Sequence, residues 1–599
     1  MSTRRHYLLL SPASEDSVVE TNTRARTSAQ LHAEFSRGPM IFHPRRILWL
    51  VAALLTASAT TTPPTRAQNA APPAAPATAA ATAPTAIPIP VDQLSNRCGS
   101  LRKAALSGFP SWTGWGANPE NWRFQRAEQA ELTAADVVNL KLKWAFGIPN
   151  VKIVRSQPAE LLGHVIVGAN DGTIYSLDFL AGCTAWATTA GKPIRSGIAI
   201  GKSGDAEAIF FGDAGGNVYA LDFSTGKLLW AARADDHPNA TITGTPSYLD
   251  GGIYVPVSSG EEQSRRRNDY ECCTFRGSVV AMNAATGKIV WQSYMSSPPA
   301  VFGGSQAVQG HRVFAPSGMA IWSSPTIDLA KKRIYVGTGD NYSEPSTKTS
   351  DAVVALDLKS GKILWSKQFD KDDVYRIDCG DPPAAGCSPP KNPEFDLGAS
   401  PILVPLAHGK RALILGQKSG LVYAVDPDAA GRLLWHARAG IGGLLGGVQW
   451  GPATDGKNVY VAVSDLAFNG RAPDPAKGGG LSAYRVSDGG LLWKTQAPGC
   501  GDRRPCSPAQ SQAVTAIPGA VFSGSIDGHL RAYATKDGKI IWDFDTARDF
   551  DTVNKVAAHG GSLDVGGPIV AGGMVFVVSG YPGFGAMPGN VLLAFAREK

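Results

Sequence analysis

The sequence has no Cys-x-x-Cys-His motif, so we expect no covalently attached c-type haem in this chain. It also has no apolar run long enough for a membrane span, because the run ILWLVAALLTA at 47–57 has only about half the required length. The net charge is small. Of the formal +7, residues 1–67 hold +4 (eight Arg against four Asp and Glu), which leaves +3 for the rest of the chain. We therefore expect no nucleic-acid partner and no membrane span in the mature chain.

The first part of the chain predicts export. A basic stretch at 43–46, the apolar run at 47–57 and a small-residue cleavage site at 65–67 follow the order of a secretory signal, which predicts a periplasmic protein. Met40 is an alternative start. The predicted boundaries are an upstream extension at 1–39, a signal at 40–67, an Ala/Pro/Thr-rich flexible linker at 68–97 and one globular domain at 98–599.

All eight cysteines follow the signal, and an even number in an exported chain predicts disulfides. Spacing favours the pairs Cys379–Cys387 and Cys500–Cys506 in short loops and the neighbours Cys272–Cys273, and leaves Cys98–Cys183. Adjacent Cα atoms lie about 3.8 Å apart, closer than the roughly 4.4–6.8 Å of ordinary disulfides. Because such strain persists mainly at functional sites, we expect the adjacent pair to lie in one.

One pattern recurs along the body of the chain: an apolar strand, Ala-x-Asp or a variant of it, a turn with Gly, and an apolar strand that ends in Trp. The seven copies end at Trp186, Trp230, Trp291, Trp365, Trp435, Trp493 and Trp542. An eighth such strand, KLKWAF around Trp144, lacks a hairpin partner, which NVLLAF near the C-terminus can supply. A Gly turn between two β-rich runs predicts a hairpin, and a repeated Trp can pack between neighbouring sheets.

The eight tryptophans predict an all-β fold, an eight-bladed β-propeller of four-stranded antiparallel blades whose ring is closed by the N- and C-terminal strands. Intervals between tryptophans reach 74 residues in the middle of the chain, against 42 at its start. We therefore expect extra loops and the functional face on blades three to six. A propeller alone indicates no chemistry, since many are binding platforms.

Five motifs lie between the repeats, in the order VSSGEEQ, YECCTFRG, AIWSSPTID with GTGDN, EFDLGASP and GQKSG. They resemble those of the quinoprotein alcohol dehydrogenases over roughly residues 108–599, and most of all the members that oxidise polyvinyl alcohol. The resemblance implies an enzyme that binds pyrroloquinoline quinone and Ca²⁺, oxidises an alcohol and passes electrons to a separate cytochrome c. Two alternatives stay open: a quinoprotein dehydrogenase for another alcohol or a sugar, and a cofactor-free scaffold of the outer-membrane assembly type.

The quinone is flat, aromatic and anionic, so it needs an aromatic face and polar partners. By position in the motifs, Trp322 would stack on it, Lys418 would contact its quinone oxygens, and the Cys272–Cys273 ring would lie flat against it, opposite Trp322. The remaining implied contacts are the hydroxyls of Thr243 and Ser259 and, less directly, the guanidinium of Arg276. Each residue type also has an ordinary structural role, as a core Trp, a solvated hairpin Lys or a strand hydroxyl.

Calcium prefers several hard oxygen ligands. The resemblance implies that Glu262, Asp340 and Asp396 supply them, with Glu261 as an alternative to its neighbour. The family usually has Asn directly after Gly-Thr-Gly, whereas this chain has Asp340 and then Asn341, so either of these could be the ligand.

The resemblance implies a second role for Asp396, as the general base that takes the hydroxyl proton of the alcohol. Glu261 is the next choice for this role. Calcium would act as a Lewis acid on the quinone, which would accept the hydride. Gly398 stands where lanthanide-using relatives carry a second Asp, which favours calcium.

Overall fold

The computed structural model describes residues 84–99, 111–265, 270–301, 312–371, 373–377 and 394–598. Within these ranges, α-helix is confined to three single turns, at Ala127–Ala130, Ala134–Val137 and Glu261–Ser264, and 3₁₀ turns occur at Val91–Gln93, Ala407–Gly409 and Gly583–Gly585. None of the described helices is long and apolar enough to cross a membrane. The predicted extension, the signal and the Cys379–Cys387 pair lie outside the described residues.

Eight antiparallel sheets, each with four strands of its own, form the blades of a β-propeller. This confirms the predicted fold. Blade 1 contains Ala159–Leu161, His164–Gly168, Thr173–Asp178 and Thr184–Thr189, and blade 2 contains Ala199–Ser203, Ala206–Gly212, Asn217–Asp222 and Leu228–Arg233. Blade 3 contains Ser247–Leu249, Gly252–Ser259, Ser278–Asn283 and Ile289–Tyr294, and blade 4 contains Thr326–Asp328, Arg333–Gly337, Ala352–Asp357 and Ile363–Gln368.

Blade 5 contains Ile402–Pro405, Arg411–Gly416, Leu421–Asp426 and Arg432–Arg438, and blade 6 contains Ala453–Thr454, Asn458–Ala462, Gly480–Arg485 and Leu491–Gln496. Blade 7 contains Thr515–Ile517, Ala520–Gly524, His529–Ala534 and Ile540–Asp545. Blade 8 contains Ile569–Ala571, Met574–Ser579, Val591–Arg597 and, as its fourth strand, Leu140–Gly147. The pairing of Leu140–Gly147 with Val591–Arg597 is the one predicted from the unpartnered Trp144 strand.

The repeated Trp docks each blade onto the next. Trp186 of blade 1 donates its indole N–H to the Phe223 carbonyl of blade 2 at 2.9 Å. A Cβ on Gly226, in the turn of that blade, would lie 2.4 Å from the Trp186 ring, and Gly226 also has a φ of +67°. Glycine is therefore required there both for the backbone conformation and for the docked Trp. Equivalent indole-to-carbonyl bonds occur at Trp144, Trp230, Trp435, Trp493 and Trp542.

Residues 112–126, the crossing segment, connect blades that are far apart in sequence. Asn121 donates its side-chain amide to Thr326 Oγ1 of blade 4 at 2.9 Å, and Trp122 donates to the Leu403 carbonyl of blade 5 at 2.7 Å. Further along, the Arg123 guanidinium donates to Thr515 Oγ1 of blade 7 at 2.9 Å, and Gln125 donates to the Val570 carbonyl of blade 8 at 2.9 Å. The crossing segment therefore connects blades 4 and 5 to blades 7 and 8.

Three of the predicted disulfides are confirmed: Cys98–Cys183, Cys272–Cys273 and Cys500–Cys506. Cys98–Cys183 attaches the chain before the propeller to blade 1, where the Cys98 amide also donates to the Thr184 carbonyl at 3.0 Å. The peptide bond between Cys272 and Cys273 is cis. No cysteine in the described part of the chain is free.

Candidate active site

A cavity of about 580 Å³ is lined mainly by the connections of blades 3, 4 and 5, with further residues from blades 1, 2, 6 and 8. Seven predicted site residues line it: Thr243, Ser259, Glu262, Trp322, Asp340, Asp396 and Lys418. They come from two kinds of connection, the one before the first strand of a blade and the one between its second and third strands. Both emerge at the same end of a blade because successive antiparallel strands run in opposite directions. These seven residues lie in the long middle intervals of the sequence, between Trp230 and Trp435.

Lys418 is buried in an ion-paired group. Its ammonium nitrogen lies 2.9 Å from Asp396 Oδ2 and 2.5 Å from Glu394 Oε1. The other oxygen of Asp396 accepts the backbone N–H of Asp340 at 3.0 Å. Burial acts to lower the pKa of Lys418, but the charges and hydrogen bonds of Asp396 and Glu394 outweigh it and raise that pKa. Lys418 is thus a paired cation at the cavity and not a solvated hairpin residue.

Acidic side chains outnumber basic ones in this part of the cavity. Burial raises the pKa of Asp340 well above its usual value, and the carboxylates of Asp396, Glu262 and Glu394 raise it further. Burial likewise raises the pKa of Glu394, although Lys418 opposes this. Several buried carboxylates around one ammonium are unfavourable without a further cation. The donor chemistry therefore fits a hard divalent ion.

The acidic side chains converge on the cavity without forming a preassembled coordination sphere. As placed, no three Asp, Glu, His or Cys side chains among the described residues are arranged to hold a metal ion. Both oxygens of Asp396 are engaged within the protein, one by Lys418 and the other by the Asp340 amide. Glu394 was not among the predicted ligands, although it belongs to the EFDLG motif that contains Asp396.

Trp322 and Trp450 form an aromatic floor in the cavity, edge to face, with ring centroids 5.0 Å apart. The Lys418 ammonium lies 5.3 Å from the centroid of Trp322. Trp450 donates its indole N–H to Asp564 Oδ1 at 2.5 Å, which fixes its orientation. A Cβ at Gly398 would lie 1.7 Å from the Trp322 ring, so no side chain fits at 398 while Trp322 keeps this position.

Two arginines that the sequence analysis missed, Arg155 and Arg195, also line the cavity. The Nε atoms of both are buried without a hydrogen-bond partner among the described residues, and so is Thr243 Oγ1. The guanidinium carbon of Arg195 lies 4.8 Å from the centroid of the Trp450 ring. Burial and the neighbouring charge of Arg195 lower the pKa of Arg155 to about 10, so it remains cationic at neutral pH. Unused donors on two cations fit an anionic ligand.

A sequence signal for these positions exists in the repeat. Six blades have a Pro directly before their first strand, and in five of them the residue three positions before that Pro lines the space beneath the aromatic floor. These residues are Arg155, Thr243, Trp322, Gly398 and Val565. Arg195 occupies the same position before Ile198 in blade 2, where the Pro is absent. This position of the repeat therefore lines the same space in six of the eight blades, whatever its chemistry.

The Cys272–Cys273 disulfide does not itself line the cavity. Both residues are buried in an apolar cluster with Phe275, Ala320 and Tyr342, and Trp322 packs against this cluster. Ala320 and Tyr342 line the cavity. The predicted contact of the disulfide with the cavity is therefore not seen among the lining residues, although the disulfide and two lining residues share one apolar cluster.

The structure separates three candidates from the cavity. Arg276 stacks its guanidinium 3.7 Å from the centroid of the Tyr294 ring and donates to the Ser296 carbonyl. Asn341 is fully buried and donates to the Ser317 carbonyl at 3.0 Å, whereas its neighbour Asp340 lines the cavity. Glu261 is also fully buried, and its neighbour Glu262 lines the cavity. Placement thus favours Asp340 and Glu262 in both pairs of alternatives.

Two sequence families match the chain. The family described as "Glucose/ethanol/alcohol dehydrogenase, beta-propeller domain" matches residues 112–387. The family described as "Outer membrane protein assembly factor BamB" matches residues 418–558. The first match covers the crossing segment, blades 1 to 4 and the acidic and aromatic lining residues up to Asp340.

Curated relatives cover most of the chain. A polyvinylalcohol dehydrogenase of Pseudomonas sp is 41% identical over 539 residues, which span 86% of this chain and 81% of the relative. A polyvinylalcohol dehydrogenase of Sphingopyxis sp. (strain 113P3) is 40% identical over 515 residues, which span 82% of this chain and 77% of the relative. Among solved structures, a europium-containing methanol dehydrogenase has a TM-score of 0.60 at 19% identity, covers 81% of this chain and 98% of its own, and shows a shared fold.

Proposed function

Because this chain belongs to the polyvinylalcohol dehydrogenase family of PQQ-dependent alcohol dehydrogenases, we propose that it oxidises secondary alcohol groups of a polyvinyl-alcohol-type substrate to ketones. We place the reaction in the periplasm, after export by the signal at 40–67, with a separate cytochrome c as electron acceptor. One observation carries the proposal: an ion-paired acid, an aromatic floor and unused donors meet in one cavity. A cofactor-free scaffold would need none of these.

The cavity suits a flat anionic cofactor. Trp322 lines the cavity with its ring, and Arg155, Arg195 and Thr243 offer buried donors that have no partner in the part of the chain that the structure describes. When bound, pyrroloquinoline quinone would supply the hydride acceptor and calcium the Lewis acid. The chain's own residues then have to bind both groups, orient the alcohol and move its proton.

Glu262, Asp340 and Asp396 are the residues that we expect to hold calcium. Their excess negative charge favours a divalent cation, and oxygen donors favour a hard one. The packing of Gly398 against Trp322 also supports calcium over a lanthanide, because a further carboxylate at 398 would collide with the Trp322 ring.

We assign the general base to Asp396. Lys418 holds one of its oxygens at 2.9 Å and the Asp340 amide holds the other at 3.0 Å, so the carboxylate has a fixed orientation in the cavity. A positioned carboxylate can take the hydroxyl proton of the alcohol while hydride leaves the carbinol carbon. The nearby Lys418 ammonium would also contact the quinone oxygens, as its motif implies.

The test is reconstitution of the apo-protein with quinone and calcium, each alone and together. We expect a secondary diol such as 2,4-pentanediol, and polyvinyl alcohol itself, to reduce an artificial dye only when both are present. Faster dye reduction by a sugar or a primary alcohol would favour the alternative substrate class, and no reduction with any alcohol would contradict the enzyme assignment.

A pair of matched variants connects this activity to the cavity. Arg155→Gln removes a lining cation and should raise the quinone concentration needed for half-maximal activity at least about tenfold. Arg276→Gln removes a cation that lies outside the cavity and should leave this concentration unchanged. If the two variants behave alike, the proposed position of the quinone is wrong.

A further inference from the structure

Two consecutive glutamates on the short helix Glu261–Ser264 face different surroundings. Consecutive residues of a helix point about 100° apart, so neighbouring carboxylates cannot serve the same site equally well. Glu262 lines the cavity, whereas Glu261 has no exposed surface. A fully buried carboxylate next to a proposed calcium ligand needs a reason, because its charge is costly to bury without partners.

The partners of Glu261 belong to the segment that contains the adjacent disulfide. Its Oε1 accepts the Tyr270 hydroxyl at 2.8 Å, the Thr274 amide at 2.8 Å and the Thr274 hydroxyl at 3.3 Å. Its Oε2 accepts the Phe275 amide at 2.8 Å. The two backbone donors directly follow Cys273, so this carboxylate fixes the chain on the C-terminal side of the Cys272–Cys273 bond.

The loop before blade 3 completes the network. His237 Nδ1 accepts the amide of Asn239 at 3.2 Å, so in the neutral ring Nε2 carries the hydrogen. That Nε2 lies 3.4 Å from Glu261 Oε1 and 3.0 Å from the Thr274 hydroxyl. The Asn239 side-chain amide donates to the Tyr270 hydroxyl at 2.9 Å. Glu261 is therefore surrounded by donors from two segments.

The same short helix is attached at both of its ends. At its start, the Glu261 amide donates to Ser259 Oγ, a lining residue, at 2.8 Å. At its end, Arg265 donates to the Tyr342 carbonyl at 2.7 Å and lies 3.9 Å from Cys273 Sγ. Glu262 lies between these attachments, so its position depends on the contacts of the residues on either side.

We propose that Glu261 is a positioning residue, which joins the Cys272–Cys273 segment to the helix and thereby fixes Glu262 at the cavity. The role of Glu262 in this inference rests on the proposed function, but the joint between helix and disulfide does not. Two predictions follow from the contacts: loss of the joint exposes the disulfide to reductant, and it weakens calcium binding without removing a ligand.

The first measurement uses apo-protein and needs no activity. Glu261→Gln keeps the size of the side chain but places an NH₂ group against a backbone N–H, so one amide loses its acceptor. We expect tris(2-carboxyethyl)phosphine to reduce Cys272–Cys273 roughly tenfold faster, as followed by alkylation of the peptide and mass spectrometry. Glu262→Gln should leave this rate unchanged.

The second measurement is the calcium concentration that gives half-maximal activity with saturating quinone. We expect it to rise roughly tenfold in Glu261→Gln, while the rate at saturating calcium stays within about twofold of the unmodified enzyme. Glu262→Gln should also raise the calcium requirement. Only Glu261→Gln should therefore change both the disulfide and the calcium measurements.

Asp455→Asn is the matched control. Asp455 accepts two backbone amides, from Lys457 and Asn458, together with the Tyr460 hydroxyl and the Asn458 side chain, and it lies in blade 6 outside the cavity. Its loss should lower the melting temperature and leave both measurements unchanged. If Glu261→Gln does not fold, Tyr270→Phe removes one donor to Glu261 and should give a two- to threefold effect in the same directions.

Two outcomes would overturn the inference. A Glu261→Gln protein that differs from the unmodified one only in melting temperature, as Asp455→Asn should, would make Glu261 an ordinary structural residue. Loss of turnover at saturating calcium with an unchanged rate of disulfide reduction would make Glu261 the base instead. Failure of the proposed function is distinguishable, because the unmodified protein would then bind no quinone while the disulfide measurement could still succeed.

Discussion

The crossing segment and the cavity meet at the aromatic floor, where Trp115 packs in one cluster with Trp322 and Trp450. Both regions bury cations. Arg123 of the crossing segment donates to the Trp115 and Val514 carbonyls at 2.6 and 2.7 Å and to further neutral acceptors. Burial lowers the pKa of Arg123 to about 9, which still leaves it cationic at neutral pH.

The cavity differs because its polar groups are incompletely satisfied. Within the described ranges, Arg155 Nε, Arg195 Nε and the hydroxyl of Thr243 have no hydrogen-bond partner, and burial raises the pKa of Asp340 and Glu394. Buried groups that the protein satisfies itself stabilise the fold, whereas groups left without partners indicate where a ligand belongs. The comparison predicts that substitutions near Arg123 affect stability and that substitutions in the cavity affect binding and turnover.

The largest expected effect is in the cavity. Asp396→Asn keeps the shape and one oxygen but cannot accept the substrate proton, so turnover should fall by about 10²- to 10⁴-fold. Quinone binding, measured by its absorbance, should persist. Glu262→Gln should instead raise the calcium requirement, and added calcium should partly restore its activity. Recovery of Asp396→Asn to near full activity in high calcium would show that Asp396 is only a metal ligand.

Arg123→Met tests the crossing segment. The substitution leaves the Val514 carbonyl and Gln157 Oε1 without their donor, whereas the Trp115 carbonyl keeps the Gln157 amide and Thr515 Oγ1 keeps the Pro568 carbonyl. Because each buried group without a partner costs about 1–3 kcal/mol, we expect the free energy of unfolding to fall by at least about 2 kcal/mol. Urea denaturation measures this loss. The activity of the remaining folded enzyme should stay within about twofold, and a selective loss of quinone binding would remove the distinction between the two regions.

Glu160, whose backbone pairs with Trp112 of the crossing segment, is an exception to the rule that buried polar groups near this segment are satisfied. Its Oε2 is buried without a partner, and burial raises its pKa to about 8. As pH rises from about 5 to 8, the unfolded chain loses this proton before the native state does. Stability should therefore fall by up to about 1.4 kcal/mol per pH unit from this group alone.

Glu160→Gln should remove this contribution, so the variant should gain stability over the unmodified protein as pH rises from 5 to 8. Urea unfolding at pH 5, 6.5 and 8 measures the difference. Glu207→Gln, a partly exposed glutamate of blade 2, is the control and should show no such trend. A constant difference between Glu160→Gln and the unmodified protein would mean that Glu160 is ionised in the native state.

The blades could be predicted from the sequence because each repeat contains the residues that its turn and its docking onto the next blade require. The turn of blade 2 illustrates this: Gly226 is needed for its φ of +67° and for the Trp186 ring that packs on it. The sequence was also sufficient for the lining residues within recognisable motifs, such as Trp322 and Lys418. Arg155 and Arg195 were missed because an isolated Arg has no motif, and only its position in the repeat places it at the centre.

A choice between adjacent residues depends on side-chain direction, which composition and spacing do not determine. Asp340 and Asn341 are neighbours, yet one lines the cavity and the other is bound to the Ser317 carbonyl. Arg276 follows the disulfide segment closely, but its guanidinium stacks on Tyr294. The crossing segment could not be predicted at all, because its contacts reach blades 4, 5, 7 and 8 without any repeated pattern.

The smallest expected effect is the change in apo-protein stability on Thr243→Val, and its sign tests whether polar groups of the cavity lack partners. Thr243→Val removes a buried hydroxyl that has no partner in the protein, so the apo-protein should be equally stable or more stable by up to about 1 kcal/mol. The same hydroxyl is expected to bind the quinone, whose dissociation constant should rise about three- to tenfold. Equilibrium titration of the quinone absorbance and urea unfolding of the apo-protein give the two values.

Thr245→Val is the matched control, two residues further along the chain. The Thr245 hydroxyl is buried and accepts the Gly197 amide at 3.0 Å, so its loss should destabilise the apo-protein by about 1 kcal/mol and leave quinone affinity unchanged. Thr243→Val should therefore weaken quinone binding without destabilising the apo-protein, whereas Thr245→Val should destabilise the apo-protein without weakening quinone binding. If Thr243→Val destabilises the apo-protein as much as Thr245→Val does, its hydroxyl is already satisfied without a ligand. Unused hydrogen-bonding capacity would then no longer separate the cavity from the crossing segment.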